Sequence, residues 1–199
     1  MNPALLQDVL HSYTLSARKR HEMYETMRDT AGQFEPDIRR YWQEASHGPS
    51  SRRRYHIFLK LHAYALENVL KAVLAKLRHE QYFECISGRG AIPSDLHTHD
   101  LGKLWESAVG TPPSRREAEL LDRLNRSAEW REKYPTSFRE EHPCLCGDAG
   151  SRNVEGSISA LFSETDLALL ARLHDKALGK YREVTTKHES IVGRDRLCR

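Results

Sequence analysis

Residues 56–77 read HIFLKLHAYALENVLKAVLAKL. Leu66, Leu70, Val73, Leu74 and Leu77 recur there at three- and four-residue spacing, and Leu59 and Ala63 carry the stripe back toward the start. At 3.6 residues per turn this spacing gathers apolar side chains on one face, so it predicts a helix over about 55–80. No segment of useful length alternates apolar and polar residues as a half-buried strand would. The chain therefore reads as all-α.

The flanks extend that reading. Pro3 suits a first helical position, since its missing amide donor is not needed there. Leu5, Leu6, Val9, Leu10 and Tyr13 follow at helical spacing toward Met27, and Gly32 offers a break. A short helix is expected over 37–45, after Pro36. The stretch 46–54, SHGPSSRRR, reads as a linker by its Gly, Pro and Ser content. Beyond the main helix, 85–94 reads as a loop. Thr98 is placed to cap the next helix, with Leu101, Leu104, Trp105 and Ala108 inward and Gly110 at its end. Ser114 and Glu117 form an S-x-x-E capping box for a helix carrying Ala118, Leu121, Leu124 and Ala128 as far as Tyr134-Pro135. Residues 136–160 show no helical period. Ser163 and Asp166 suggest a second capping box, before a last helix with Leu167, Leu170, Ala171, His174, Ala177, Leu178 and Tyr181 inward.

Composition bounds the rest. A chain of 199 residues with 39% hydrophobic content suits one helical domain with a well-solvated exterior. Its 31 basic and 28 acidic residues leave a formal net charge of +3, so any nucleic-acid footprint must come from local clustering. No run of about 18 apolar residues suggests a membrane span. The N-terminus lacks the pattern of a secretory signal, so a cytoplasmic location is expected, with Cys85, Cys144, Cys146 and Cys198 as reduced thiols.

Three pieces, the helix quoted above, HTHDLGKLWESA over 97–108 and LLDRLNRSAEWREKYP over 120–135, together resemble the HEPN family (higher eukaryotes and prokaryotes nucleotide-binding domain). The resemblance implies an antiparallel helical bundle of four to five main helices over about 55–190. A helical N-terminal extension (1–46) and a linker (47–54) precede it, and a tail (191–199) follows. It further implies RNA or nucleotide binding in a prokaryotic toxin–antitoxin or defence setting, homodimers and no cofactor. Catalytic members cut RNA without metal, using an arginine and a histidine with four to six residues between them. Arginine grips phosphate through its planar fork, and histidine moves protons near neutral pH. Arg182–His188 and Arg40–His47 have that spacing. With 22 arginines and 11 histidines, roughly three or four such pairs arise by chance, so context decides. Arg182–His188 sits near the end of the last helix, the better place, although Glu183 brings negative charge beside it. The plain alternative is a solvated helix end whose cations suit the macrodipole.

Other candidates are local. Glu67, Asn68 and Lys71 lie one turn apart on the polar side of the main helix. Glu67–Lys71 alone is an ordinary i,i+4 pair. The resemblance has them line a groove with His99-Asp100, with Lys71 and His99 meeting nucleotide or RNA. Alternatively, His99-Asp100 simply serve a helix start. Arg52-Arg53-Arg54-Tyr55 combines phosphate-binding cations with a stacking ring, although such a triplet is more often a solvated, linker-proximal stretch. Cys144-Leu145-Cys146 with His142 falls short of the four ligands a structural zinc uses, so no metal is expected. A helical interaction module, with an exposed apolar strip on the N-terminal helix meeting a protein partner, is the competing function.

Overall fold

Cooperating helices and no strand make up the described residues, which in this computed structural model are 3–43, 49–82, 93–133 and 164–197. Side chains are described over 17–40, 57–82, 93, 96–127 and 165–187. The elements are α1 (Pro3–Gln43), α2 (Pro49–Leu77), α3 (Ser94–His97), α4 (Leu101–Val109), α5 (Arg115–Lys133) and α6 (Glu164–Leu197). A turn at Arg78 and a further helical turn over 79–82 continue α2. The all-α reading is what the structure shows.

Contacts give the directions in which neighbouring helices run. Met27 of α1 meets Asn68 of α2, and Ala17 packs with Ala72 and Ala75, so α1 and α2 are antiparallel. On α6, His174 meets His62, and Tyr181 packs beside Ala72 and Ala75, so α6 runs parallel to α2. Arg123 pairs with Asp166 and Glu117 with Lys176, which sets α5 antiparallel to α6. One core unites the helices. Tyr24, Ala31 and Ile38 of α1 share it with Leu66, Leu70 and Val73 of α2, Leu104 and Trp105 of α4, Leu121 and Leu124 of α5, and Leu170 and Leu173 of α6.

Several expectations need correction. The N-terminal segment is not a helix broken at Gly32 and restarted after Pro36; α1 is continuous through both. Ala17, Tyr24, Ala31 and Ile38 recur every seven residues and are at most 1% exposed, so packing on α2 and α6 holds the helix together. Gly32 and Pro36 lie on the opposite, solvent-exposed side. There the carbonyl left without a donor by Pro36 can turn to water. Nor is this segment an appendage, since its buried face belongs to the common core. The proposed linker is mostly helix, because α2 begins at Pro49, a residue well suited to a first turn.

Local signals at α4 and α5 hold, with exchanged roles. Asp100, not Thr98, caps α4: its Oδ1 accepts from the Lys103 amide at 3.1 Å, while Thr98 Oγ1 accepts from the Asp100 amide. Leu101, Leu104, Trp105 and Ala108 are buried, and Gly110 ends the helix in the left-handed region at φ 78°. The Ser114–Glu117 capping box forms in both directions, at 2.8 and 3.4 Å. Ala118 and Ala171, expected inside, are exposed. Glu117, Leu120 and Ser127 occupy the inner side of α5, and Leu169, Leu173 and His174 that of α6. Leu77, at the end of the α2 stripe, is also exposed. Asp166 gives both oxygens to Arg123, each at 2.9 Å, so its carboxylate ties α5 to α6. Ser163, the 85–92 part of the first expected loop, 136–160 and all four cysteines lie outside the described residues. Among the described residues no helix is long and apolar enough to cross a membrane, and no cluster of three metal-ligating side chains occurs.

Candidate functional site

The α2 turn carrying Glu67 and Lys71 meets the approach to α4, and three sequence-selected residues converge there. Lys71 Nζ donates to Glu67 Oε1 at 2.7 Å, and both side chains are largely buried. His99, arriving on the segment between α3 and α4, places Nδ1 3.1 Å from each Glu67 oxygen. Its own ring stays 58% exposed. Asn68, on the neighbouring face, uses its amide on the Tyr64 carbonyl and on Met27 Sδ. Asp100 fixes the chain just beyond His99 by capping α4, and the Leu101 amide donates to Asn125 Oδ1 at 2.9 Å, which anchors that start to α5.

This arrangement specifies a protonation pattern. Glu67, facing a buried ammonium, is a carboxylate and can only accept, so Nδ1 of His99 carries the ring proton. Nε2 lies on the opposite edge of the ring, away from Glu67. Lys71 is a different matter. Only 4% exposed and already neutralised by Glu67, it cannot serve as the phosphate-binding cation the resemblance implied. Its role is to hold the carboxylate that orients His99.

The remaining selected residues are not gathered here. Arg52, Arg53, Arg54 and Tyr55 belong to the first turns of α2, and from Arg54 to Lys71 the helix rises about 25 Å. Their side chains lie outside the described residues, as does that of His188. Arg182 is exposed on α6. Its position and that of His188, six residues along a continuous helix, are about 120° apart around the axis and do not share a face. Glu183, the source of negative charge beside Arg182, is held by Lys180 at 3.1 Å and Lys187 at 2.6 Å. Arg40 lies on α1, and His47 outside the described residues.

Two groups of residues escaped the sequence reading. His62 Nδ1 and His174 Nε2 lie 3.0 Å apart where α1, α2 and α6 meet, with both rings buried. Burial first, then the Arg28 guanidinium, lowers the His62 pKa to about 4. Burial, His62 and Arg28 together push His174 down as well. Both rings are therefore neutral near pH 7, and His174 Nδ1 has no partner among the described residues. The signal was a histidine within the apolar stripe between Leu59 and Leu66. The second group is Arg18-Lys19-Arg20-His21, four basic residues in a row on α1. The His21 ring stacks on Tyr181, next to Arg182, with centroids 4.4 Å apart and planes at 11°.

No family model matches the chain, and no curated protein or solved structure does either.

Proposed function

We propose that this helical protein engages RNA or a nucleotide and that His99 is its proton-transferring group. One observation carries the reading: a buried, lysine-compensated carboxylate receives Nδ1 of a half-exposed imidazole, 3.1 Å from both oxygens. In its neutral form a ring held by Nδ1 presents Nε2 as a basic nitrogen on the opposite edge, the arrangement general-base chemistry at a hydroxyl uses. On RNA, Nε2 would take the proton of a ribose 2′-hydroxyl as its oxygen attacks the adjacent phosphorus. The 5′-oxygen would leave with a proton from water, and a 2′,3′-cyclic phosphate would remain. No metal is required for that step. Membership of the HEPN family and a toxin or defence role are consistent with an all-helical bundle, and they belong to this proposal.

His99 thereby takes the place first considered for His188. The competing interaction-module reading asked for an exposed apolar strip on α1. Met23 is the one large apolar side chain of α1 that is exposed among the described residues, and the side chains of Leu5, Leu6, Val9, Leu10 and Tyr13 lie outside them.

The test is incubation of purified protein with labelled RNA in chelator. Cleavage is expected with the wild type and His188→Ala, and its loss with His99→Ala. Glu67→Gln should slow it by about 10²-fold, as removal of an orienting or acid–base group does. Undiminished cleavage by His99→Ala, or RNA left intact by the wild type, sinks the proposal.

A further inference from the structure

We propose that Lys60 holds a backbone phosphate neighbouring the one that reacts beside His99, so that the ligand is a single RNA strand and not a mononucleotide. This rests on the reading of His99 given above and supplies the cation that reading lacks.

Helical spacing puts Lys60 on the stripe against which His99 docks. At about 100° per residue, Lys60, Tyr64, Glu67 and Lys71 occupy about 60° of the circumference of α2. The side chains agree: Lys60 Nζ lies 5.3 Å from the centroid of the Tyr64 ring, and Glu67 meets both Lys71 and His99. Asn68 falls about 80° round from Lys60, on the flank where it touches Met27 of α1. Glu67 and His99 mark the other flank, so the stripe runs between α1 and the segment leading into α4. Lys60 and Tyr64 are half-buried there, and each keeps part of its surface in solvent.

Charge accounting leaves one cation available on this stripe. The Glu67 carboxylate is taken by Lys71, and that of Asp100 by Lys103 at 3.3 Å. Lys60 has no carboxylate partner among the described residues. Its ammonium rests on the Tyr64 ring, a contact that orients the charge without neutralising it. Lys60 therefore offers the phosphate-binding charge that Lys71, buried and compensated, cannot. Distance decides which phosphate. From Lys60 to Glu67 the helix rises about 10 Å, and Tyr64 stands between them, so Lys60 meets a phosphate further along the strand than the reacting one. A point charge on a flexible stem grips that phosphate without reading a base. Its loss should weaken binding and leave the chemical step alone.

Two labelled probes test this: an oligodeoxyuridylate containing one ribouridine, which has a single cleavable linkage, and its all-deoxy form, which binds uncut. Lys60→Met should raise KM for the first and Kd for the second by about fivefold, the worth of one exposed ion pair, with kcat unchanged. Lys60→Arg, which keeps the charge, should stay within about twofold of the wild type, as should Arg116→Ala, an exposed cation on α5. An uncharged methylphosphonate at one phosphate flanking the cleavable linkage should reproduce the loss, and should add little to Lys60→Met. Circular dichroism verifies that the variants remain helical. Unchanged KM and Kd in Lys60→Met, equal loss in Arg116→Ala, full additivity with the methylphosphonate, or competition by uridine 3′-monophosphate as strong as by the oligomer overturns the proposal and leaves His99 in place. Lys60-dependent binding with no cleavage by the wild type upholds the anchor and removes the role given to His99. A wild type that neither binds nor cleaves removes both.

Discussion

Lys71 illustrates how burial changes the meaning of a charged residue. By spacing alone, Glu67 and Lys71 look like a solvent-facing pair worth about 0.3–0.5 kcal/mol. In the folded chain Lys71 is 4% exposed and, among the described residues, its ammonium meets one carboxylate, 2.7 Å away. Removing one member of such a pair strands the other without water, a loss of about 3–5 kcal/mol; replacing both with apolar or neutral groups is far milder. Glu67→Gln should therefore lower the unfolding free energy by about 3 kcal/mol, and Glu67→Gln/Lys71→Met should regain most of that loss. Urea denaturation of the two variants checks it. Equal destabilisation by the single and double changes would mean that Lys71 is better hydrated than its surroundings imply. The triad also shows why this site was only half legible. Glu67, Lys71 and His99 could each be picked out by residue type, yet the 32-residue gap between Glu67 and His99 closes only when α4 docks on α2. That docking is what turned a groove-lining lysine into a compensating charge and a helix-start histidine into an oriented one.

At the scale of elements, the helices that could be read were those whose ends are written locally. The start of α5 lies in Ser114 and Glu117, four residues apart inclusive, and the end of α4 in Gly110 alone. Helix α1 is different, since its continuity depends on partners distant in sequence. Its seven-residue stripe alternates Ala17 and Ala31 with Tyr24 and Ile38, and the alanines carry little hydrophobic signal yet let α2 and Tyr181 approach closely. Gly32 and Pro36 are strong local punctuation, and tertiary burial overrides both. Two outcomes follow for α1. A Cβ added at Gly32 meets nothing within 4 Å, so Gly32→Ala should stabilise the protein by about 0.5–1 kcal/mol through helix propensity. Ile38 is fully buried, and Ile38→Ala should cost about 2–5 kcal/mol. Chemical denaturation of both variants distinguishes a continuous, packed α1 from two short helices. In the latter case Gly32→Ala would impose a helical bias on a turn and destabilise.

Over the whole molecule, charge is distributed so that acid attacks the fold in two stages. The first belongs to the junction of α1, α2 and α6. The groups facing the His62–His174 pair are Tyr24 and Arg28 from α1 and Phe58 from α2, with Asp175 of α6 acting on Tyr24, so among the described residues no carboxylate shifts either imidazole. The folded pKa of His62, about 4, lies below the ordinary 6.5. Between those values the unfolded chain binds a proton that the folded chain refuses, so stability is full above pH 6.5 and declines as the pH falls toward 4. His62 alone would cost about 1 kcal/mol by pH 5.5, and His174 acts in the same direction. The second stage belongs to the α5–α6 clamp. Burial works to raise the Glu117 pKa, but the Lys176 ammonium and the Ser114 hydroxyl and amide prevail and hold it at about 2. Its contribution is present above pH 4.5 and disappears as the pH falls toward 2. Thermal melts from pH 8 to 2.5 should therefore show Tm declining below pH 6.5 and again below pH 4.5. His62→Leu/His174→Leu should flatten the first decline and leave the second, while Glu117→Gln, less stable at neutral pH, should flatten the second and leave the first. A first decline that persists in the double histidine variant would place the acid-sensitive group elsewhere. NMR of the imidazoles in the unaltered protein checks the same point independently, since both buried rings must remain neutral at pH 6.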